Sequence, residues 1–194
     1  MRIAILFIFI LYSNLFSQIS YGGNPREYDN REQNNIIIPR IENIIDREFN
    51  PMVFEYGYEY SVDYNVLNAV PQLNDNEYIY YLEVKSDGAY GIGLIFDDFY
   101  LSENAELFLY DKERTITLGS FTSRNNKPEN VFPTSVVKSD HIVIELNIPI
   151  EEVGQSRLNL GSIIHDYTDI MGYYTSEESM ERDDCNINVA CPEA

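Results

Sequence analysis

An antiparallel β-sandwich is the fold this sequence predicts, and three observations predict it. Tyrosine and phenylalanine occur 16 and 10 times with no tryptophan, among many Ile and Val, a composition that suits pleated strands better than helices. Several short runs alternate apolar with polar residues at the two-residue period of a half-buried strand. Turn-forming clusters separate those runs at short intervals, and helical periodicity is almost absent. With 44% apolar residues in 194, the chain has material for a real core and a length that allows one ordinary domain plus short extras.

The chain begins "MRIAILFIFILYSNLFSQ". Arg2 supplies a positive start, and residues 3–11 form an unbroken apolar run, shorter than the roughly 20 residues a membrane-spanning helix needs. Polar Ser13 and Asn14 then lead to the small residue Ser17. This reads as a secretory signal peptide over residues 1–17, cut after Ser17. Leu15 is larger than the small residue usual two positions upstream, so a cut one residue later stays open, as does a retained anchor. Export places the mature chain outside the cell or on its surface, where disulfides persist.

Residues 18–40, including "YGGNPREYDNREQNN", are polar and rich in turn formers, which predicts an extended or loosely packed lead-in. In "RIENIIDREF" the residues Ile41, Ile44, Ile45 and Phe49 recur at helical spacing, predicting one short amphipathic helix that ends before Pro51. Strands follow through a β-sandwich over residues 41–175. "FEYGYEYSVDY" is tyrosine-rich with near-alternating charge, while "YIYYLEV" and "GIGLIF" flank the turn "KSDGAY". "AELFLY" runs into the charged turn "DKER", and "TITLGSF" puts Ile116 and Leu118 on one face, Thr115 and Thr117 on the other. "HIVIEL" sends Ile142, Ile144 and Leu146 one way and His141, Val143 and Glu145 the other, and "RLNLGSII" adds a further strand. No internal repeat is visible.

Thirteen basic against 32 acidic residues give a formal charge of −19. Phosphate recognition needs a basic surface, so nucleic acid is excluded as a partner, and adsorption to anionic membranes is disfavoured. The plain reading is an acidic, solvated surface on a secreted protein.

The composition changes again at "TSEESMERDD", a charge-rich stretch without apolar periodicity. It predicts a protease-accessible linker over residues 176–184, with a domain boundary near 177–184. The last ten residues, "CNINVACPEA", hold both cysteines of the chain, Cys185 and Cys191. A disulfide needs Cα atoms within about 7 Å, whereas six extended residues span roughly 20 Å. Ile187 and Val189 alternate with polar or small residues between them, which is strand-like and holds the cysteines apart. Each is therefore expected to pair beyond Ala194 or on another molecule, although a self-bridged local loop stays open. Two thiols so spaced, with no His nearby, match no zinc site.

The stretches "ISYGGNP", "FEYGYEYSVDYNVLNA", "GAYGIGLIFDDFYLSENAELFLYDKE", "LGSFTSRNN", "SDHIVIELNIP", "GSIIHDYTD" and "CNINVACPE" occur in that order through most of the chain. This pattern resembles precursors of secreted bacterial serine endopeptidases of the lysyl endopeptidase type, most like those of the Bacteroidetes lineage. The resemblance implies that the first blocks form a β-rich pro-region and that "C-N-x-x-V-x-C-P-E" opens the mature protease, residues 185–194 here. It further implies a downstream trypsin-like domain with a Ser/His/Asp triad and cysteines able to pair with Cys185 and Cys191. The pro-region's partner would be that protease domain. No lysine follows Lys138 and Arg182 is the only basic residue of the linker, so self-processing would require a cut after Arg182.

Within the chain itself no residue is assigned a catalytic role, and no cofactor or metal is implied. His165 stands beside Asp166 in "IIHDY", yet no Ser lies in a G-x-S-x-G setting, so His141 and His165 are read as surface or packing residues. Asp97, Asp98, Glu103 and Glu106 offer oxygen ligands for calcium, but their spacing fits no known loop, and a solvated turn accounts for them. The tyrosines of "EYGYEYSVDY" would suit carbohydrate stacking, against ordinary cross-strand packing. A stand-alone secreted adhesion or carbohydrate-binding module is the alternative to the pro-region.

Overall fold

The computed structural model describes residues 19–26, 35–38 and 55–173. The expected signal peptide, the helix at 41–49, the linker at 176–184 and the terminal segment with both cysteines lie outside the described residues.

The fold is all-β, two sheets packed face to face. One sheet takes the order β1-β4-β9-β6-β7: β1 is Asn35–Ile38, β4 Glu77–Ser86, β9 His141–Pro149, β6 Glu106–Asp111 and β7 Thr117–Phe121. The short β3 (Gln72–Asn74) pairs with the first half of β4. The other sheet runs β2-β10-β5-β8, with β2 Gly57–Asn65, β10 Arg157–Asp166, β5 Gly91–Tyr100 and β8 Phe132–Pro133. Every pairing is antiparallel except one. Asn35–Ile38, expected only as extended lead-in, lies parallel to β4 with Asn35 opposite Glu83 and Ile38 opposite Ser86. A single turn of helix, α1 (Ile170–Tyr173), follows β10.

Connections explain why one core forms. Among the described strands, only the β3–β4 and β6–β7 hairpins join neighbours within a sheet; the other successive strands lie in opposite layers. The β3–β4 hairpin turns on Asp75 at φ 46, the left-handed backbone that a two-residue hairpin loop requires. Alternation then aims Leu82, Val84, Ile142, Ile144 and Leu146 of one sheet at Leu94, Phe96, Leu160 and Ile163 of the other, all essentially without solvent contact. Phe132 stacks on Phe99 at 4.3 Å and meets Phe121 edge-on at 5.0 Å, closing one end between the layers. Burying each such side chain contributes about 1.5–3 kcal/mol.

One strand changes phase midway. Leu160 and Ile163 both face the core although three positions apart, because the register of β10 slips between Leu160 and Ser162. Against β5 the extra residue there is Gly161, packed so close to Asp97 that a Cβ would stand 2.6 Å from its carboxyl carbon, whereas against β2 the extra residue lies on β2. A bulge with a glycine at its tight point is the usual solution.

Candidate functional site

The first sheet has a second buried face. Ile79 and Tyr81 of β4, Phe108 and Tyr110 of β6 and Val143 of β9 form a cluster on the side away from the sandwich core. Beside it on β9, Glu145 is 0% and Asn147 1% exposed, at positions where alternation alone would put solvated side chains.

Part of the cover is the N-terminal segment 19–26. Tyr21 N donates to Ser120 O and Ser120 N to Gly22 O, both at 2.9 Å, so this segment extends the sheet at its β7 edge. Ser20 Oγ also donates to Gly119 O, and Asn125 Nδ2 to Ile19 O. Gly22 and Gly23, at φ 78 and 99, then turn the chain off the edge and across the face, Gly23 lying over the Phe108 ring.

Arg26 anchors the end of the crossing. Its Nε donates to Glu77 Oε1 at 2.6 Å, and its Nη2 to Glu77 Oε2 at 3.0 Å and Glu106 Oε2 at 2.9 Å. Its backbone N donates to Glu145 Oε1 at 2.8 Å, and Arg114 Nη2 donates to its carbonyl at 2.7 Å. The hydrogen bond to Glu77 holds the guanidinium above its already high ordinary pKa; burial opposes this and Glu106 adds to it. Glu145 also accepts from Tyr110 Oη at 2.8 Å and Asn147 Nδ2 at 3.0 Å, so three donors converge on one carboxylate. Asn147 Oδ1 is buried with no hydrogen-bond partner among the described residues. Chemically, Glu77 and Glu106 around the guanidinium and Glu145 on the backbone N–H suit a cationic side chain carried on an extended segment.

Of the residues singled out from sequence, Ser17, Arg182, Cys185 and Cys191 lie outside the described residues. His141 Nε2 meets Glu83 Oε2 at 2.9 Å on this same face. His165 is buried, its Nδ1 2.7 Å from Ser86 Oγ, and burial pushes its pKa down against the opposing charge of Asp166. Asp166 turns its carboxylate away to Thr168 N and Ile170 N, capping the turn into α1. Ser86, His165 and Asp166 are thus neighbours without the linear order a triad needs.

Of the four acidic residues, only Glu103 lies exposed in the expected turn, between β5 and β6. Asp97 and Asp98 sit within β5, Asp97 accepting from Asn159 Nδ2 at 2.9 Å and Asp98 paired with Arg157 at 3.0 Å. Glu106 belongs to the Arg26 site, so the four carboxylates do not converge. Among the described residues no group of three His, Cys, Asp or Glu is placed to hold a metal. Tyr60 and Tyr64 pack against the core, and Tyr58 tilts against Tyr60 at 4.7 Å.

Sequence reasoning missed Arg26, Glu77, Glu145 and Asn147. Two signals pointed to them: a carboxylate in the middle of the apolar run "HIVIELNIP", and an arginine closing "YGGNPR", whose paired glycines permit a turn. No known protein-family profile matches the chain.

Proposed function

We propose that this chain is the pro-region of a secreted serine endopeptidase precursor, with the catalytic domain following in the same reading frame. One observation carries the reading. The stretches that resemble such precursors coincide with the structural parts of one sandwich. "GLIFDDFYLSENAELFLY" supplies most of β5, its loop and β6, "SDHIVIELNIP" supplies β9, and "GSIIHDYTD" supplies much of β10. "ISYGGNP" is the covering segment at the β7 edge.

In this role the sandwich covers the protease's substrate groove during export and stabilises the folded enzyme by mass action, binding the native state and not the unfolded one. A cut in the acidic linker, at Arg182, then separates the two.

Reading the coding frame past Ala194 tests the proposal. A continuing frame with a His, an Asp and a Gly-Asp-Ser-Gly-Gly motif in a trypsin-like domain supports it, and the purified sandwich should then inhibit that domain. A stop codon directly after Ala194 overturns it and favours a stand-alone adhesion or carbohydrate-binding module.

A further inference from the structure

The 19–26 segment is held in the manner of a bound peptide. Its main chain pairs with an edge strand, as in peptide recognition by β-augmentation, and its Arg26 side chain enters a charged socket. Its apolar side chains are only partly covered: Ile19 and Tyr21 are each 39% exposed, with the Arg124 guanidinium 5.1 Å from the Tyr21 ring centre. Among the described residues the attachment draws chiefly on backbone hydrogen bonds and on the charge of Arg26, and both exchange with water and salt more readily than fully buried apolar contacts do. A polar cleft of about 540 Å³ runs alongside, between Tyr21 to Gly23 on one wall and Glu103, Asn104, Thr122 and Arg124 on the other. The segment is thus not wedged between packed elements.

We infer that the β7 edge and the carboxylates of Glu77, Glu106 and Glu145 form a recognition site for an extended, arginine-bearing peptide, and that the chain's own 19–26 segment is its ligand, held in cis and detachable. Specificity has two sources. Gly23 is selected by its φ of 99, which disfavours any other residue, whereas an added Cβ would make only ordinary contact with Phe108. Arginine fits the socket because a planar fork reaches two carboxylates at once, while a lysine ammonium lacks that geometry.

The test uses a fluorescent peptide of residues 18–27 added to the chain from residue 18 onward, in wild-type form and as Arg26→Ala. In the variant the internal ligand is weakened, so the peptide should bind with an apparent Kd about tenfold lower than in wild type, where the site is already filled. Binding should weaken in high salt and vanish when Glu77→Gln and Glu106→Gln are added, or when the peptide itself carries Arg26→Ala. A folded Arg26→Ala chain that takes up no peptide, or takes up the Arg26→Ala peptide equally well, overturns the inference. Should Arg26→Ala fail to fold, hydrogen exchange on the wild type decides. Tyr21 and Ser120 amides that open faster than those of β9, and faster still in salt, support a detachable ligand; protection equal to that of β9 overturns it.

Discussion

The backbone N–H of Arg26 donates to the carboxylate of Glu145 at 2.8 Å, across 119 positions of sequence. Glu145 sits on the central strand β9 with no solvent exposure, and two further donors, Tyr110 Oη and Asn147 Nδ2, meet it there. Replacing it by an apolar residue takes this acceptor from all three, and each buried donor left orphaned costs about 1–3 kcal/mol. Glu145→Leu should therefore destabilise by about 3 kcal/mol or more in chemical denaturation. Glu145→Gln, which keeps one acceptor oxygen, should cost about 1 kcal/mol. Equal losses in the two variants would show that the carboxylate is merely space-filling.

Arg26 is partly exposed, so its ion pairs are weakened by solvent, yet two carboxylates depend on it. Arg26→Ala leaves Glu77 and Glu106 facing each other without a cation and should lower stability by about 1–2 kcal/mol, more at low salt than at high. Arg26→Lys should fall between wild type and Arg26→Ala, since it keeps the charge and loses the fork. A loss that does not change with salt would sink the electrostatic account.

Much of the sandwich was legible in the sequence, and the second buried face was not. Alternation in "HIVIEL" separates Ile142, Ile144 and Leu146 from His141, Val143 and Glu145, and the structure keeps that separation. What alternation cannot say is whether the opposite face is wet. Val143 and Glu145 are both 0% exposed, and the partner Glu145 takes from outside the sheet comes from a segment more than a hundred residues earlier. The β10 slip at Gly161 and the later start of β7 escaped for a related reason. Each is set by a side chain elsewhere: Asp97 crowds Gly161, and Asp111 binds Ile116 N and Thr115 Oγ1, which holds residues 115 and 116 in the turn.

Two glycines give a contrast in how a close approach is tolerated. At Gly119 an added Cβ would stand 2.6 Å from Leu107 O, a backbone atom of the paired strand, at φ 123. At Gly161 it would meet the Asp97 side chain, whose carboxylate can swing outward once its bond from Asn159 is given up, leaving its Cβ at 3.0 Å to be relieved by a small shift. Gly119→Ala should thus cost about 3 kcal/mol or more and loosen the β6–β7 edge, and Gly161→Ala about 1 kcal/mol. Thermal melts of both variants check this; a Gly161→Ala penalty as large as that of Gly119→Ala would mean that Asp97 is locked in place.

Acid should weaken the fold in two stages. Burial holds His165 neutral below its ordinary pKa, with Asp166 opposing, while the unfolded histidine titrates near 6.5. The unfolded chain therefore binds the extra proton first, so the contribution is complete above about pH 6.5 and is lost as pH falls toward the native value. Asp111 and Glu152 follow at lower pH. Burial would raise both carboxyls, but it is outweighed: at Asp111 by hydrogen bonds from Ile116 and Thr115, at Glu152 by those from Ser102 and Asn104. Both end below the ordinary carboxyl range, so their stabilisation is present above about pH 4.5 and lost beneath it. Urea midpoints measured from about pH 8 to 4 should fall first near pH 6.5 in the wild type. His165→Gln keeps a partner for Ser86 but cannot titrate, so it should flatten the first stage and leave the second untouched. If the variant and the wild type decline in parallel through pH 6, His165 is not the group that acid attacks.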